Sequence, residues 1–138
     1  MALTQNDEII EDMFPFDQAS ATPDKLRKVF RSGAYRGTTA AMADGYTQGN
    51  LAIIPEKYAL DFARFCQRNP QPCPMIGVSD TGNPKMFTLG DDIDIRTDIP
   101  SYNIYRNGKF DGSVADINKY WEEDSVAFVL GCSFSFEE

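Results

Sequence analysis

An α/β fold, a mixed β-sheet flanked by helices, is predicted by three features of the sequence. Aliphatic runs recur at 51–54, 75–79 and 126–130, a helical apolar stripe separates the first two, and a proline-initiated helix lies upstream of all of them. The chain has 138 residues, 42% hydrophobic and 25% charged, which are the proportions of one globular domain. They exclude wholesale disorder, collagen-like repeats and a disulfide-stapled miniprotein.

Residues 1–21 place apolar side chains at Ile9, Ile10, Met13, Phe14 and Phe16 without a sustained period, and Pro15 interrupts them. They read as a flexible, loosely docked lead-in, with the domain proper at 22–138. Thr22 followed by Pro23 is an N-cap with proline at the first helical position. Leu26, Val29 and Phe30 form the apolar stripe of that helix, and Gly33 ends it. Residues 32–49 carry Gly33, Gly37, Gly45 and Gly49 among small side chains and read as a loop with one helical turn.

Leu51–Ile54 is expected to be a buried strand ended by Pro55. Pro55–Arg68 is then a helix, because Tyr58, Phe62, Phe65 and Cys66 fall at helical spacing and Asn69-Pro70 closes the segment. Met75–Ser79 reads as a second buried strand, Thr81-Gly82-Asn83-Pro84 as a turn, and Met86–Leu89 as a third short strand. Asp92–Ile99 alternates, with Ile93 and Ile95 on one side and Asp92, Asp94 and Arg96 on the other, as an extended segment with one wet face would. Asn107-Gly108 between Ser101–Arg106 and Lys109-Phe110 predicts a hairpin with a primed turn. Asp116 is read as the cap of a helix through Ile117, Tyr120 and Trp121, and Val126–Leu130 as a central strand. Ser135 and Glu138 stand in capping-box relation at the end of the sequence, announcing a helix of which only the first turn is present. The expectation is truncation or completion by another chain.

Thirteen basic against twenty-one acidic residues give a net charge of −8, which repels phosphate backbones and anionic membrane surfaces, so no nucleic acid or membrane partner is expected. No apolar run approaches membrane-spanning length. Four acidic and no basic residues in 1–12 fit neither a signal nor a transit peptide, and Cys66, Cys73 and Cys132 are odd in number, so a reducing, cytoplasmic setting is expected. There is no histidine. Chemistry therefore falls to carboxylates, Tyr, Lys, Arg, Ser or Cys, and Cys66 and Cys73, lacking a second pair, make no zinc site. No metal or other cofactor is implied.

Arg96 lies between Asp94 and Asp98 with Thr97 beside it. A guanidinium there is a clamp for a substrate carboxylate, or else a structural ion pair with its neighbours. Asp92 and Asp94 are two residues apart on one side, close enough for one carboxylate to raise the other's pKa and make a general acid or base. Solvated surface aspartates and a D-x-D cation site are the alternatives, although Arg96 stands where a calcium loop needs an oxygen ligand. Gly131-Cys132-Ser133 follows the last strand at a helix start, where free N–H groups favour anions and lower a thiol's pKa. Cys132 and Ser133 are thus candidates for catalysis, against the alternatives of a buried cysteine and a helix cap. Arg68 and Asn69 at the end of the central helix, and Gln48 and Asn50 before the first strand, are candidate substrate donors. Helix termination and an ordinary turn call for the same residues.

Three ordered segments resemble a known family: Gln67-Arg68-Asn69-Pro70-Gln71-Pro72-Cys73-Pro74, Asp92-Ile93-Asp94-Ile95-Arg96-Thr97-Asp98-Ile99-Pro100 and Gly131-Cys132-Ser133-Phe134-Ser135-Phe136-Glu137. They are similar to signature segments of the hydro-lyase family related to D-glutamate cyclase. The block from Arg31 to Pro55 is similar to that family's opening, with Ala41 where glycine is expected and Gly49 where alanine is expected. The resemblance covers about Asp24 to Glu138 and implies a mixed α/β fold and a lyase that removes water from a small amino or hydroxy acid. D-glutamate cyclisation to 5-oxo-D-proline is the model reaction. It favours Arg96 as carboxylate clamp, Asp92 or Asp94 as base and the 131–133 backbone as oxyanion donor. The family's downstream half, with a segment reading V-P-M-Y-R-T-N, has no counterpart here, which implies an incomplete version of a two-part fold. The partners expected are a small carboxylate substrate and either a second copy of the chain or a complementing C-terminal half. A non-catalytic carboxylate-binding module or degenerate half-enzyme is the alternative function, and a structural domain a third.

Overall fold

A computed structural model describes residues 13–131. It has an α/β fold with two antiparallel sheets, and its elements follow the order helix α1 (Pro23–Arg31), strand β1 (Gly49–Pro55), helix α2 (Glu56–Arg68), then strands β2 (Met75–Val78), β3 (Tyr102–Arg106), β4 (Lys109–Val114) and β5 (Ser125–Gly131). The described residues fall into two compact units, 13–46 with 97–117, and 47–96 with 118–131.

In the first unit, α1 buries Leu26 and Phe30 against Phe14, Ala21, Met42 and Ala43. Tyr35 stacks on Phe30 and meets Phe14 edge-on at 5.2 Å, the offset and T-shaped geometries that aromatic quadrupoles prefer. Phe14 and Ala21 thus pack into this core, closer docking than their scattered spacing in the sequence suggests. Pro23 opens the helix as expected, but Thr22 contributes its backbone carbonyl and no side-chain cap bond. Asn107 (φ 51°) and Gly108 (φ 75°) make the primed two-residue turn joining β3 to β4. Ala41 adopts φ 63° at the position where the family resemblance leads one to expect glycine, a left-handed conformation that costs a Cβ-bearing residue about 1–2 kcal/mol.

The second unit is a three-stranded sheet in the order β1-β5-β2 with α2 against β1 and β5. β5 is the central strand, Val126, Ala127 and Phe128 being buried. The helix presents Phe62 to Phe128, ring centroids 4.9 Å apart. β1 and β2 are edge strands with half-buried or exposed side chains, so the expectation of buried strands at 51–54 and 75–79 is corrected. Apolar runs of this length do not reveal whether a strand has one neighbour or two. Ser79 ties the end of β2 to β5, its N–H donating to the Ala127 carbonyl (2.8 Å) and its hydroxyl oxygen accepting from the Ala127 N–H (2.9 Å).

Three further expectations are corrected. Met86–Leu89 is a turn, closed by the Leu89 N–H on the Met86 carbonyl (2.9 Å), and not a strand. Residues 116–121 form a single turn and no helix: Ile117 is buried, while the Trp121 indole N–H donates to the Gly82 carbonyl (3.0 Å) and pins the approach to β5. Asp92–Ile99 keeps its alternation of buried Ile93 and Ile95 but is not extended throughout, because the Asp94 carboxylate captures the Arg96 backbone N–H and turns the chain. The capping box at 135 and 138 lies outside the described residues.

Candidate functional site

The second unit gathers Lys85, Asp94 and Arg96. An isolated antiparallel bridge between Lys85 and Asp94 aligns the first two, and the turn at Asp94 swings Arg96 back over the same carboxylate. Arg96 Nε donates to Asp94 Oδ1 (3.0 Å) and Nη2 to Oδ2 (2.8 Å), while Lys85 Nζ stands 3.5 Å from Oδ2. Burial alone would raise the Asp94 carboxyl. The hydrogen bonds from the Arg96 side chain and backbone, with the charges of Arg96 and Lys85, more than offset it and hold the pKa below the usual 3.8. The hydrogen bond to Asp94 likewise raises Arg96. Of the two carboxyls, one of which is expected to raise the other, Asp94 is therefore not the raised one; it stays ionised and fixes Arg96.

Two cations around one carboxylate leave the cluster with a net charge of +1. Nε and one N–H of Nη2 face Asp94, so the end of the fork, Nη1 with the remaining Nη2 N–H, can take a second carboxylate end-on. The Arg96 side chain is 35% exposed and Lys85 43%, accessible enough to meet a solute. A group whose folded pKa is lowered stabilises the fold above its unfolded value and ceases to do so as pH falls through the folded one. Acid titration followed by circular dichroism should accordingly show stability falling below pH 3.8, and Arg96→Met should remove most of the part due to Asp94. An identical acid profile in the variant would show that the pair contributes nothing.

No family model matches the chain. Curated relatives do: one from Ruegeria pomeroyi is 66% identical over 113 residues, covering 82% of this chain and 41% of the relative. Another from Dinoroseobacter shibae is 61% identical over 113 residues (82% and 38%), and one from Azorhizobium caulinodans is 54% identical over 118 (86% and 43%). All three carry the name "putative hydro-lyase". The chain belongs to this hydro-lyase family. It spans about two fifths of the length of the curated relatives it matches.

Within this hydro-lyase-family chain the other predicted residues are placed individually. Asp92 is exposed, two residues before Asp94. Gln48 is half-buried just before β1, and Asn50, exposed on β1, pairs in register with Leu130. Arg68 is exposed at the end of α2. Asn69 closes that helix: its side-chain amide donates to the Phe65 carbonyl (2.8 Å), its backbone N–H to that of Cys66 (3.1 Å), and its own carbonyl accepts from Cys73 (2.9 Å). Cys132 and Ser133 lie outside the described residues. Cys66 is buried, and burial, then the charge of Cys73, push its thiol up, which favours the protonated form. Among the described residues no three His, Cys, Asp or Glu side chains group as a metal site, and no helix is long and apolar enough to cross a membrane.

Thr97 belongs to the first unit, where its hydroxyl donates to Asp98 Oδ1 (2.8 Å). The Asp98 side chain is 1% exposed and takes a two-pronged bond from Arg31, Nε to Oδ1 and Nη2 to Oδ2, both 2.7 Å. Sequence reasoning missed this pair because partners 67 positions apart leave no local pattern, and it missed Lys85 because a single bridge across the intervening turn sets that pairing. The one available signal was Arg31 itself, which opens the block resembling the family. A shallow cavity of about 430 Å³ in the same unit is lined by Met13, Pro15, Phe16, Lys25, Lys28, Val29 and Ser32, and none of the predicted residues borders it.

Proposed function

We propose that this chain supplies the carboxylate-recognising part of a hydro-lyase acting on a small amino or hydroxy acid in the cytoplasm, with D-glutamate cyclisation to 5-oxo-D-proline as the specific reaction. The observation that carries the reading is the identity of 66% with a relative that carries the name "putative hydro-lyase". The half-exposed Arg96 fork, held by Asp94 beside Lys85, supports it by offering charge and geometry suited to a carboxylate.

In that reaction Arg96 and Lys85 hold the α-carboxylate and Asp94 acts as a positioning residue. Asp92, with Ser133 and Cys132 as further candidates, relays protons. The substrate nitrogen loses two protons and bonds to the side-chain carboxyl carbon, a C–O bond breaks, and the departing oxygen leaves with those two protons as water. The backbone at 131–133 stabilises the intervening oxyanion. Gln48, Asn50, Thr97, Arg68 and Asn69 are secondary substrate contacts, of which Asn69 is the least available because it closes α2.

Mass spectrometry of D-glutamate incubated with the full-length Ruegeria pomeroyi relative, and with this chain, tests the reading: 5-oxoproline is expected, and no product from the relative overturns it. Where turnover occurs, Arg96→Lys should raise KM roughly tenfold, equivalent to about 1.4 kcal/mol, with kcat little changed, because a lysine cannot reproduce the two-pronged bond. An unchanged KM removes Arg96 from substrate binding. The second reading, a carboxylate-binding module without turnover, is favoured by the withdrawal of Asp94 from proton transfer. Calorimetric binding of D-glutamate with no product distinguishes it.

A further inference from the structure

The strand β2 reads Met-Ile-Gly-Val and lies at the edge of its sheet with no charge and no proline to discourage pairing, devices by which edge strands are ordinarily protected. Among the described residues its side chains are not fully covered either. Val78 pairs in register with Phe128 and so shares the sheet face that carries α2, yet α2 packs on β1 and β5 and leaves Val78 47% and Met75 39% exposed. On the other edge strand, by contrast, Leu51, Ala52, Ile53 and Ile54 are all half-buried.

The turn at 86–90 brings more apolar surface to the opposite face of the same strand, because Gly77 pairs in register with Val129, which points away from the face of Phe128. Met86 and Leu89 are laid over Gly77 so closely that a Cβ there would meet them at 3.2 and 3.1 Å. Phe87 and Leu89 in that turn are nonetheless 64% and 37% exposed. Exposed apolar side chains therefore occur on both sides of one short edge strand, Met75 and Val78 on one face and the turn carrying Phe87 and Leu89 on the other, so that a partner straddling the edge would cover them together.

We propose that the β2 edge, with Met75, Val78, Phe87 and Leu89, is the docking surface for the part of the family's sequence that this chain does not span. The relatives are more than twice as long as the matched region, which amounts to 41% of the Ruegeria pomeroyi protein. The remaining three fifths is a domain-sized piece, large enough to provide the roughly 800 Å² per partner that a stable interface needs. The register irregularity between Met75 and Gly77 interrupts the ladder, so the occupant is held chiefly by burial of these side chains and not by continuous strand addition. This inference rests on the family membership and on the surface, not on the dehydration chemistry.

Co-expression of the 138-residue chain with the unmatched three fifths of the Ruegeria pomeroyi relative, tagged on one partner only, tests it. The two should co-purify as a one-to-one complex by light scattering, with hydrogen exchange slowed at 75–78 and 86–90. Val78→Glu and Phe87→Ser should each weaken the complex at least tenfold, while Tyr105→Ser, at an exposed aromatic of the hairpin, should leave it intact. Circular dichroism confirms folding, and if Val78→Glu disturbs it, Phe87→Ser, in an exposed turn, decides. Failure to co-purify, a complex indifferent to both substitutions, or a dimer of this chain alone that Phe87→Ser abolishes would each overturn the proposal, the last by assigning the surface to a second copy.

Discussion

Phe128→Ala is expected to remove about 4 kcal/mol of stability, enough to leave the second unit marginal, since domains hold only about 5–15 kcal/mol in total. The size follows from the position of the side chain. Phe128 is 1% exposed at the middle of β5, the strand that both β1 and β2 depend on for pairing, and its ring meets Phe62 of α2 edge-on at an interplanar angle of 74°. Truncation thus loses apolar burial, the ring pair and the contact that seats the helix, and no neighbouring strand can collapse into the gap without breaking its register. Urea denaturation followed by far-UV circular dichroism measures it. A loss under about 1 kcal/mol would mean that the sheet is not organised around this residue.

Arg31→Met should cost about 3 kcal/mol in the first unit, by a different mechanism. Asp98 is almost wholly buried, and removing the guanidinium that grips both its oxygens takes away its two-pronged charged partner while the carboxylate stays out of water. Stranding one member of a buried pair costs about 3–5 kcal/mol, and the 40% exposure of Arg31 places this case at the lower end because water can partly replace it. The double variant Arg31→Met with Asp98→Asn should recover part of the loss, since an amide carries no charge to strand. Thermal denaturation of the single and double variants checks both statements, and a double variant less stable than Arg31→Met alone would contradict the mechanism.

Elements specified by short-range chemistry were legible in the sequence. Pro23 fixed the start of α1, the apolar stripe through Phe62 and Cys66 announced α2, Asn107-Gly108 dictated its turn, and the unbroken run at 126–130 marked the strand that is paired on both sides. What failed depended on partners distant in sequence. Met86–Leu89 has strand composition, but Met86 turns inward over Gly77 and the backbone closes on itself. Residues 116–121 have a cap and an apolar stripe, but Trp121 finds the Gly82 carbonyl instead of a helical neighbour.

The candidate site divides the same way. Alternation around Asp94 placed Ile93 and Ile95 inside and the polar groups outward. It did not reveal that Asp94 would take the Arg96 backbone N–H as well as the guanidinium, which both bends the segment and lowers the carboxyl. Neither Lys85 nor the pairing of Arg31 with Asp98 could be foreseen, because the first rests on a single bridge across a turn and the second joins segments that only the tertiary fold brings together.

The central claim is that the outer end of the Arg96 fork receives a substrate carboxylate. Nitrogen-detected NMR of the arginine side chains during titration with D-glutamate addresses it most directly, with Arg106, paired to Asp111 at 2.8 Å on the hairpin, as an internal control. Saturable movement of the Arg96 guanidinium resonances with Arg106 unmoved is the result predicted; resonances that stay in place, or that drift equally for both arginines, would contradict it.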